Sequence, residues 1–226
     1  MIYTSLRAIK PGIESHALAR LLGRRGSHGL SRSVTVRVQK LGTSLEQIVV
    51  PRLHYEAKKI KSINNGTVHM PGGRAFASRR LSKAMKDCEK MICFLATIGT
   101  GIEKEIARLM EGNCLSDAYI LDSMASVAVE NMVEEFHQGF TRGHELEDKR
   151  VTLRFSPGYC DWPITEQKNL FELFDANATG IELLPSCLMK PRKSISGVFG
   201  VYNNGAKMPY NPCLDCPIKN CEARRV

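Results

Sequence analysis

Apolar residues recur along this chain with two different periods, and the change from one to the other marks out its elements. The first 80 residues mix short apolar pieces with Gly, Pro and basic residues. Within them only Ser44 to Ala57 has a helical period, with Leu45, Ile48, Val49 and Leu53 on one stripe and Pro51 expected to kink or divide it. Pro71-Gly72-Gly73 signals a turn, after which Leu81, Met85 and Met91 place a helix with a basic outer face over 78–91. The pattern then changes, because Ile92 to Ile98 is a continuous apolar run closed by Gly99, the length of a buried strand. Gly101 opens a helix to about Met110. A longer one runs from Ser116 or Asp117 to about His137, with Ala118, Leu121, Ala125, Ala128, Met132 and Phe136 on one face. Val151 to Phe155 reads as a strand, Pro163 to Asp175 as a helix ended near Gly180, and Ile195 to Tyr202 as a strand.

Strands and helices are interspersed without a regular strand-helix-strand repeat, so an α+β fold is expected. The expected architecture is a single mixed domain with an antiparallel-rich sheet, helices packed against it, and a short Cys-rich C-terminal appendage. Its parts are residues 1–80, a core over 81–208, and the tail 209–226. With 226 residues, 43% of them hydrophobic, the chain can bury a genuine core, and aromatics at 7% make that core mostly aliphatic. Phe171, Phe174 and Trp162 are local exceptions. Neither a signal peptide nor a membrane span is evident, so a soluble, cytoplasmic protein is expected.

The formal charge of +9 raises nucleic acid as a partner. The basic residues are scattered, however, at Arg24-Arg25, Lys58-Lys59, Arg79-Arg80 and Lys190 to Lys193, with no aromatic-basic ladder or zinc-finger spacing. An acidic protein partner or a plain basic surface accounts for the same charge. Of eight cysteines, Cys88, Cys93, Cys114 and Cys187 are expected to pack as small hydrophobes, while Cys213, Cys216 and Cys221 crowd the tail.

The most informative stretch is Arg154-Phe155-Ser156-Pro157-Gly158-Tyr159-Cys160-Asp161-Trp162-Pro163. A strand delivers an arginine, the chain turns at Pro157-Gly158, and a helix starts at Pro163. Such a turn is expected to expose backbone donors and acceptors, Gly158 permits close approach of a ligand, and Arg154 offers a planar fork suited to a carboxylate. On chemistry alone a strand-turn-helix junction with an ordinary surface arginine is the better reading. The order Arg-x-x-x-Gly-Tyr-x-x-x-Pro resembles the S-adenosylmethionine signature of the activation domain of cobalamin-dependent methionine synthase. Ser186 to Gly197 looks like that family's Ser-x-x-Met-x-Pro-x-x-Ser-Val-Ser-Gly segment, and Ala96 to Gly99 and the 122–130 helix are similar to its free-standing branch. The resemblance covers about residues 80 to 202, and three segments in order are more specific than one motif.

By position, the resemblance implies that Arg154 holds the methionine carboxylate of S-adenosylmethionine, and that main-chain groups of Ser156, Pro157, Gly158, Tyr159 and Cys160 meet its adenine and amino acid parts. It places Tyr159 beside the sulfonium and Glu130 in the same site, the two residues assigned catalytic roles. Glu130 also reads as a solvated carboxylate beside Glu134 and Glu135. Met189, Ser194 and Ser196 belong to a loop that lies near the site in the family, although Met189 also fits a core position. Ile164-Thr165-Glu166 stands where synthase-embedded members often carry a histidine.

The implied chemistry is reductive methylation of an inactive corrinoid: cob(II)alamin receives one electron and takes the methyl group of S-adenosylmethionine. The cobalt is the nucleophile, so the protein supplies orientation and partial desolvation, and no Ser-His-Asp arrangement is needed or found. The sequence carries no Asp-x-His-x-x-Gly corrinoid motif. The implied partners are therefore a corrinoid-binding protein or methionine synthase subunits, together with a flavodoxin- or ferredoxin-like electron donor. Two other readings are a non-catalytic S-adenosylmethionine-binding module and a metal-containing redox or scaffold protein. The tail bears on the last, because Cys213, Cys216 and Cys221 form Cys-x-x-Cys-x-x-x-x-Cys with Pro212 and Pro217 beside the first two. This spacing suits an iron-sulfur cluster or zinc, with Cys160, a histidine or an outside molecule as fourth ligand, and reduced, unligated thiols are the alternative.

Overall fold

A computed structural model describes residues 15–23, 30–145, 148–203 and 210–216. Its centre is a four-stranded antiparallel sheet of β1 (Arg52–Lys59), β5 (Cys88–Thr97), β9 (Ser194–Asn203) and β6 (Lys149–Val151), in the order β1-β5-β9-β6. A small sheet is formed by β2 (Ser62–Asn64), β3 (Thr67–His69) and β4 (Ala75–Ala77), and a two-stranded one by β7 (Glu182–Leu183) and β8 (Met189–Lys190). The helices are α1 (Ser15–Leu21), α2 (Arg32–Ile48), α3 (Arg79–Ala84), α4 (Gly101–Glu111), α5 (Leu115–Glu145), α6 (Gln167–Phe171) and α7 (Ala176–Thr179). The expected α+β class and antiparallel sheet are thus present.

The two central strands are covered on both sides, which is why β5 reads as an unbroken apolar run. On one face Ile92, Phe94 and Ala96 of β5 and Phe199 and Val201 of β9 pack with Leu121, Met124, Ala128, Met132 and Phe136 of α5. On the other, Met91, Cys93 and Val198 join Phe76, Leu81, Met85, Phe155, Trp162 and Leu170. This second layer positions the Arg154–Pro163 turn. Gly197 of β9 makes it possible: a Cβ there would lie 2.7 Å from the Phe155 carbonyl oxygen and 2.8 Å from the Phe94 ring. Phe155 and Val198 can consequently exchange two backbone hydrogen bonds of 2.8 Å, which seats the start of the turn on the sheet.

Several elements differ from the sequence expectation. The helix expected over Ser44 to Ala57 ends at Ile48, and β1 begins at Arg52. Pro51 divides the segment as expected, but the second half takes a strand period. Leu53 is buried, and the Tyr55 ring packs 5.5 Å from Phe136 and 5.3 Å from Phe140. Eight residue pairs with β5, Arg52↔Thr97 to Lys59↔Lys90, outweigh the local helical stripe. The helix expected over 78–91 stops after Ala84, because Met91 belongs to β5, where its side chain fills the second core layer. α5 extends past His137 to Glu145.

Val151 to Phe155 is only partly strand. β6 ends at Val151, Thr152 bonds both its N–H and its hydroxyl to Gly200, and the chain returns to the sheet through Phe155 alone. The helix expected from Pro163 to Asp175 is a 3-10 turn at Ile164–Glu166 followed by the short α6, with Gly180 (φ +64°) ending α7. Cys93 and Cys187 are buried as expected and Cys88 is half-buried, but Cys114, just beyond the C-cap of α4, is exposed.

Candidate functional site

The turn after Arg154 is built on a buried anchor. Trp162 is 2% exposed, its ring 5.5 Å from Phe76 in an edge contact, while Tyr159, three residues earlier, is 56% exposed. Burying one aromatic and projecting the other is what a turn with a fixed root and an accessible crest requires. Within the crest, the Gly158 N–H donates to the Trp162 carbonyl at 2.8 Å, Tyr159 N–H to Ser156 at 3.2 Å and Trp162 N–H to Tyr159 at 3.1 Å. The turn therefore spends these donors on its own shape, contrary to the expectation that its main chain would be broadly available. Gly158 sits at φ +93° and Cys160 at φ +57°; the first favours glycine strongly, and the second is the left-handed region that few side chains adopt.

Asp161 locks the turn to α3. Its carboxylate accepts from the Ser78 hydroxyl at 2.6 Å, the Arg79 N–H at 2.9 Å and the Arg80 N–H at 3.3 Å, while Ser78 Oγ itself accepts from the Leu81 N–H. Ser78 and Asp161 thus cap the helix jointly and hold the crest of the turn over its first residues. Sequence reasoning missed this role. An N-cap serine before Arg79 was readable, but its partner 83 residues away was not.

Arg154 is not an ordinary surface arginine. Its side chain is 6% exposed, with Nη2 2.9 Å from Glu134 Oε2 and 3.5 Å from Glu130 Oε2. Both glutamates lie on α5, one turn apart, with 39% and 56% of their side chains exposed. The same face carries Asp122 and Ser126, which Lys193 meets at 2.8 Å each. Residues 122, 126, 130 and 134 recur at every fourth position and so form one polar stripe along α5. Lys193 engages one end of the stripe and Arg154 the other. The four-residue spacing is present in the sequence, where the apolar stripe of the same helix is the stronger pattern. Glu130, expected in the site, does stand beside Arg154; Glu134, read only as a neighbour, makes the shorter contact.

Met189 is half-buried on β8. Ser194 and Ser196 are not loop residues: they begin β9, are 9% and 4% exposed, and pair with Thr97 and Leu95. The Ser194 hydroxyl donates to the Pro191 carbonyl at 2.6 Å, so it braces the bend that leads into the strand.

The tail, like the turn, lies against α3. Arg80 Nη1 donates to the Pro212 carbonyl at 3.2 Å, the Lys83 ammonium lies 5.3 Å from the centre of the Tyr210 ring, and Asn211 Oδ1 accepts from the Cys213 N–H at 2.8 Å. Burial raises the Cys160 thiol; Arg80 opposes the shift, while Cys213 and Cys216 reinforce it. Cys221 lies outside the described residues. Among the described residues no three His, Cys, Asp or Glu side chains form a ready metal cage, and no helix is long and apolar enough to cross a membrane.

Comparison with known proteins bears on this geometry. No curated protein matches the chain. A solved structure described as the MetH reactivation domain bound to AdoHcy superposes with a TM-score of 0.64 over 88% of this chain and 77% of that one, at 14% identity. That likeness shows the fold. The family model for the activation domain of vitamin B12-dependent methionine synthase matches residues 81–208, more than half the chain, including the turn, the polar stripe of α5 and β9. The chain belongs to the family of vitamin B12-dependent methionine synthase activation domains.

Proposed function

We propose that this chain binds S-adenosylmethionine at the turn over residues 154–163 and presents its methyl group to a corrinoid. The observation that carries the reading is Arg154: a nearly buried guanidinium at the root of an exposed turn, facing two partly solvated carboxylates on α5. An amino acid moiety carries both charges that such a pair accepts. Its carboxylate bonds to Arg154, and its ammonium replaces part of that guanidinium as the partner of Glu130. Tyr159 supplies an exposed aromatic face for the cationic sulfonium, and the main chain from Ser156 to Cys160 lines the remainder.

In the proposed reaction cob(II)alamin accepts one electron from a flavodoxin- or ferredoxin-like donor. The reduced cobalt then attacks the methyl carbon, the cobalt–carbon bond forms as the sulfur–carbon bond breaks, and S-adenosylhomocysteine leaves. The residues of this chain orient the sulfonium and exclude water from its methyl group; none of them needs to accept a proton. No corrinoid-binding motif occurs in the sequence, so the corrinoid is carried by a module outside these residues, and the net charge of +9 favours an acidic docking face. We place the reaction in the cytoplasm as part of a methionine synthase. Calorimetric titration with S-adenosylmethionine tests the binding step: saturable binding of one ligand per chain, competed by S-adenosylhomocysteine, supports the proposal, and no heat at millimolar ligand overturns it.

A further inference from the structure

The hairpin of β2 and β3 is fastened at its tip and its base and stands away from α3 between them. At the tip Asn65 (φ +48°) and Gly66 (φ +77°) form a tight turn of the kind that needs two left-handed residues. The Gly66 carbonyl accepts from the Ser78 N–H at 3.0 Å, and a Cβ on Gly66 would lie 2.9 Å from Arg79 Cγ, so the tip presses on the start of α3. At the base the Ile60 N–H donates to the Glu89 carbonyl at 3.2 Å, which ties the chain to β5. Between these anchors lies an open cleft of about 430 Å³. Lys83 and Lys86 enter it from the end of α3, Ile60 and Ile63 give it an apolar patch, and Ser62 and Asn64 stand on its hairpin wall. Asn64 Oδ1 is 2.8 Å from His69 Nε2, so the amide meets the histidine through its oxygen and keeps its N–H donors for another acceptor.

We propose that this cleft binds a small organic phosphate, with Lys83 and Lys86 on its phosphoryl group and Ile60 and Ile63 against its body. No carboxylate lines the cleft, and neither lysine has an acidic partner among the described residues; Lys83 lies instead 5.3 Å from the centre of the Tyr210 ring. Burial, and then Asp87, push the Cys88 thiol up to about 12, so this lining residue stays neutral. Two ammonium groups one turn apart match the charge of about −1.5 to −2 on a phosphate ester, whereas a carboxylate balances only one of them. The volume falls in the range of small-molecule sites, several hundred Å³, and leaves room for an organic body beyond the phosphoryl group. The hairpin wall precedes residues 81–208, which the family model matches, and the cleft shares no lining residue with the 154–163 turn. The assignment therefore does not rest on the S-adenosylmethionine reading.

The test is titration of the full chain with phenyl phosphate, followed by calorimetry and by backbone amide NMR. The expected result is saturable binding of one ligand per chain, with shifts concentrated at residues 60–66 and 82–88. Benzoate, which keeps the ring but carries one charge, and inorganic phosphate, which lacks the ring, should each bind more weakly. Lys83→Gln and Lys86→Gln should each weaken binding roughly 5-fold, the upper end for an exposed ion pair, and the double variant roughly 25-fold. Lys104→Gln, an exposed lysine on α4, should change nothing. Both cleft lysines are exposed, so thermal melts of the variants should match the wild type. No saturable binding at millimolar phenyl phosphate overturns the proposal, as does a double variant that binds as tightly as the wild type. Shifts centred on residues 154–163, or equal affinity for benzoate or for inorganic phosphate, overturn it as well.

Discussion

Replacing Arg154 with Ala probes the proposed ligand site at its root, and its two consequences differ in size. For stability, the ion pairs removed are with Glu134 and Glu130, whose side chains keep 39% and 56% of their exposure and return to water when the guanidinium is gone. Partly exposed pairs of this kind contribute about 1 kcal/mol or less, and the buried stem adds a packing term of similar order. The protein should therefore fold. For binding, the lost contact is a charge-assisted hydrogen bond to a carboxylate, worth about 1.5–3 kcal/mol. That is a loss of roughly 10- to 150-fold in affinity for S-adenosylmethionine.

Two companion variants separate roles that Arg154→Ala alone confounds. Glu134→Gln removes the shorter competitor for Arg154 and should leave affinity unchanged or raise it. Glu130→Gln should lower affinity if this carboxylate holds the ligand ammonium. Isothermal calorimetry with matched thermal melts provides both readouts. Equal binding by wild type and Arg154→Ala, with both folded, would refute the assignment of Arg154 to the ligand.

Gly158 stands at φ +93°, so Gly158→Ala should already cost most of what Gly158→Val costs in ligand affinity; a Val variant that binds normally would remove the requirement for glycine there. Asp161→Ala strips α3 of its long-range cap and should lower stability by about 1–2 kcal/mol, a fall in Tm of about 2–8 °C. An unchanged melt would show the cap to be dispensable. Burial, then nearby positive charge including Arg52, holds the pKa of His54 below its ordinary value. The unfolded chain therefore binds the extra proton first, and stability should fall as pH drops through about 6.5 toward the lower folded value. His54→Leu should flatten that part of the urea-denaturation profile, and an identical profile would exclude His54 as its source.

How much of this was legible in the sequence depends on how local the deciding forces are. The buried run Ile92 to Ile98 and the stripe of α5 were readable because burial on both faces of a strand, or along one face of a helix, writes itself directly into the pattern. Leu53 and Met91 misled because each sits on a plausible helical stripe, while the side-chain layer that claims it lies across the sheet. The Arg154 turn and Glu130 were singled out only through the resemblance of ordered segments to the family, and the contact between Arg154 and Glu130 is what the structure adds. Glu134, Lys193 and Asp161 were not singled out, since each acts through a partner at least 20 residues away: Arg154, Asp122 and Ser78. The meeting of tail and turn at α3 had no cue in the sequence, since it runs through Arg80, which bonds to both Asp161 and Pro212.

The central claim is methyl transfer from S-adenosylmethionine to a corrinoid, and the most direct measurement follows the methyl group. The chain is incubated anaerobically with methyl-labelled S-adenosylmethionine, a corrinoid protein loaded with cob(II)alamin, and a low-potential electron donor. The account predicts labelled methylcobalamin and S-adenosylhomocysteine in equal amounts, dependent on the chain and strongly reduced by Arg154→Ala. Label that stays in S-adenosylmethionine while the corrinoid is reduced and the chain is saturated with ligand would contradict it.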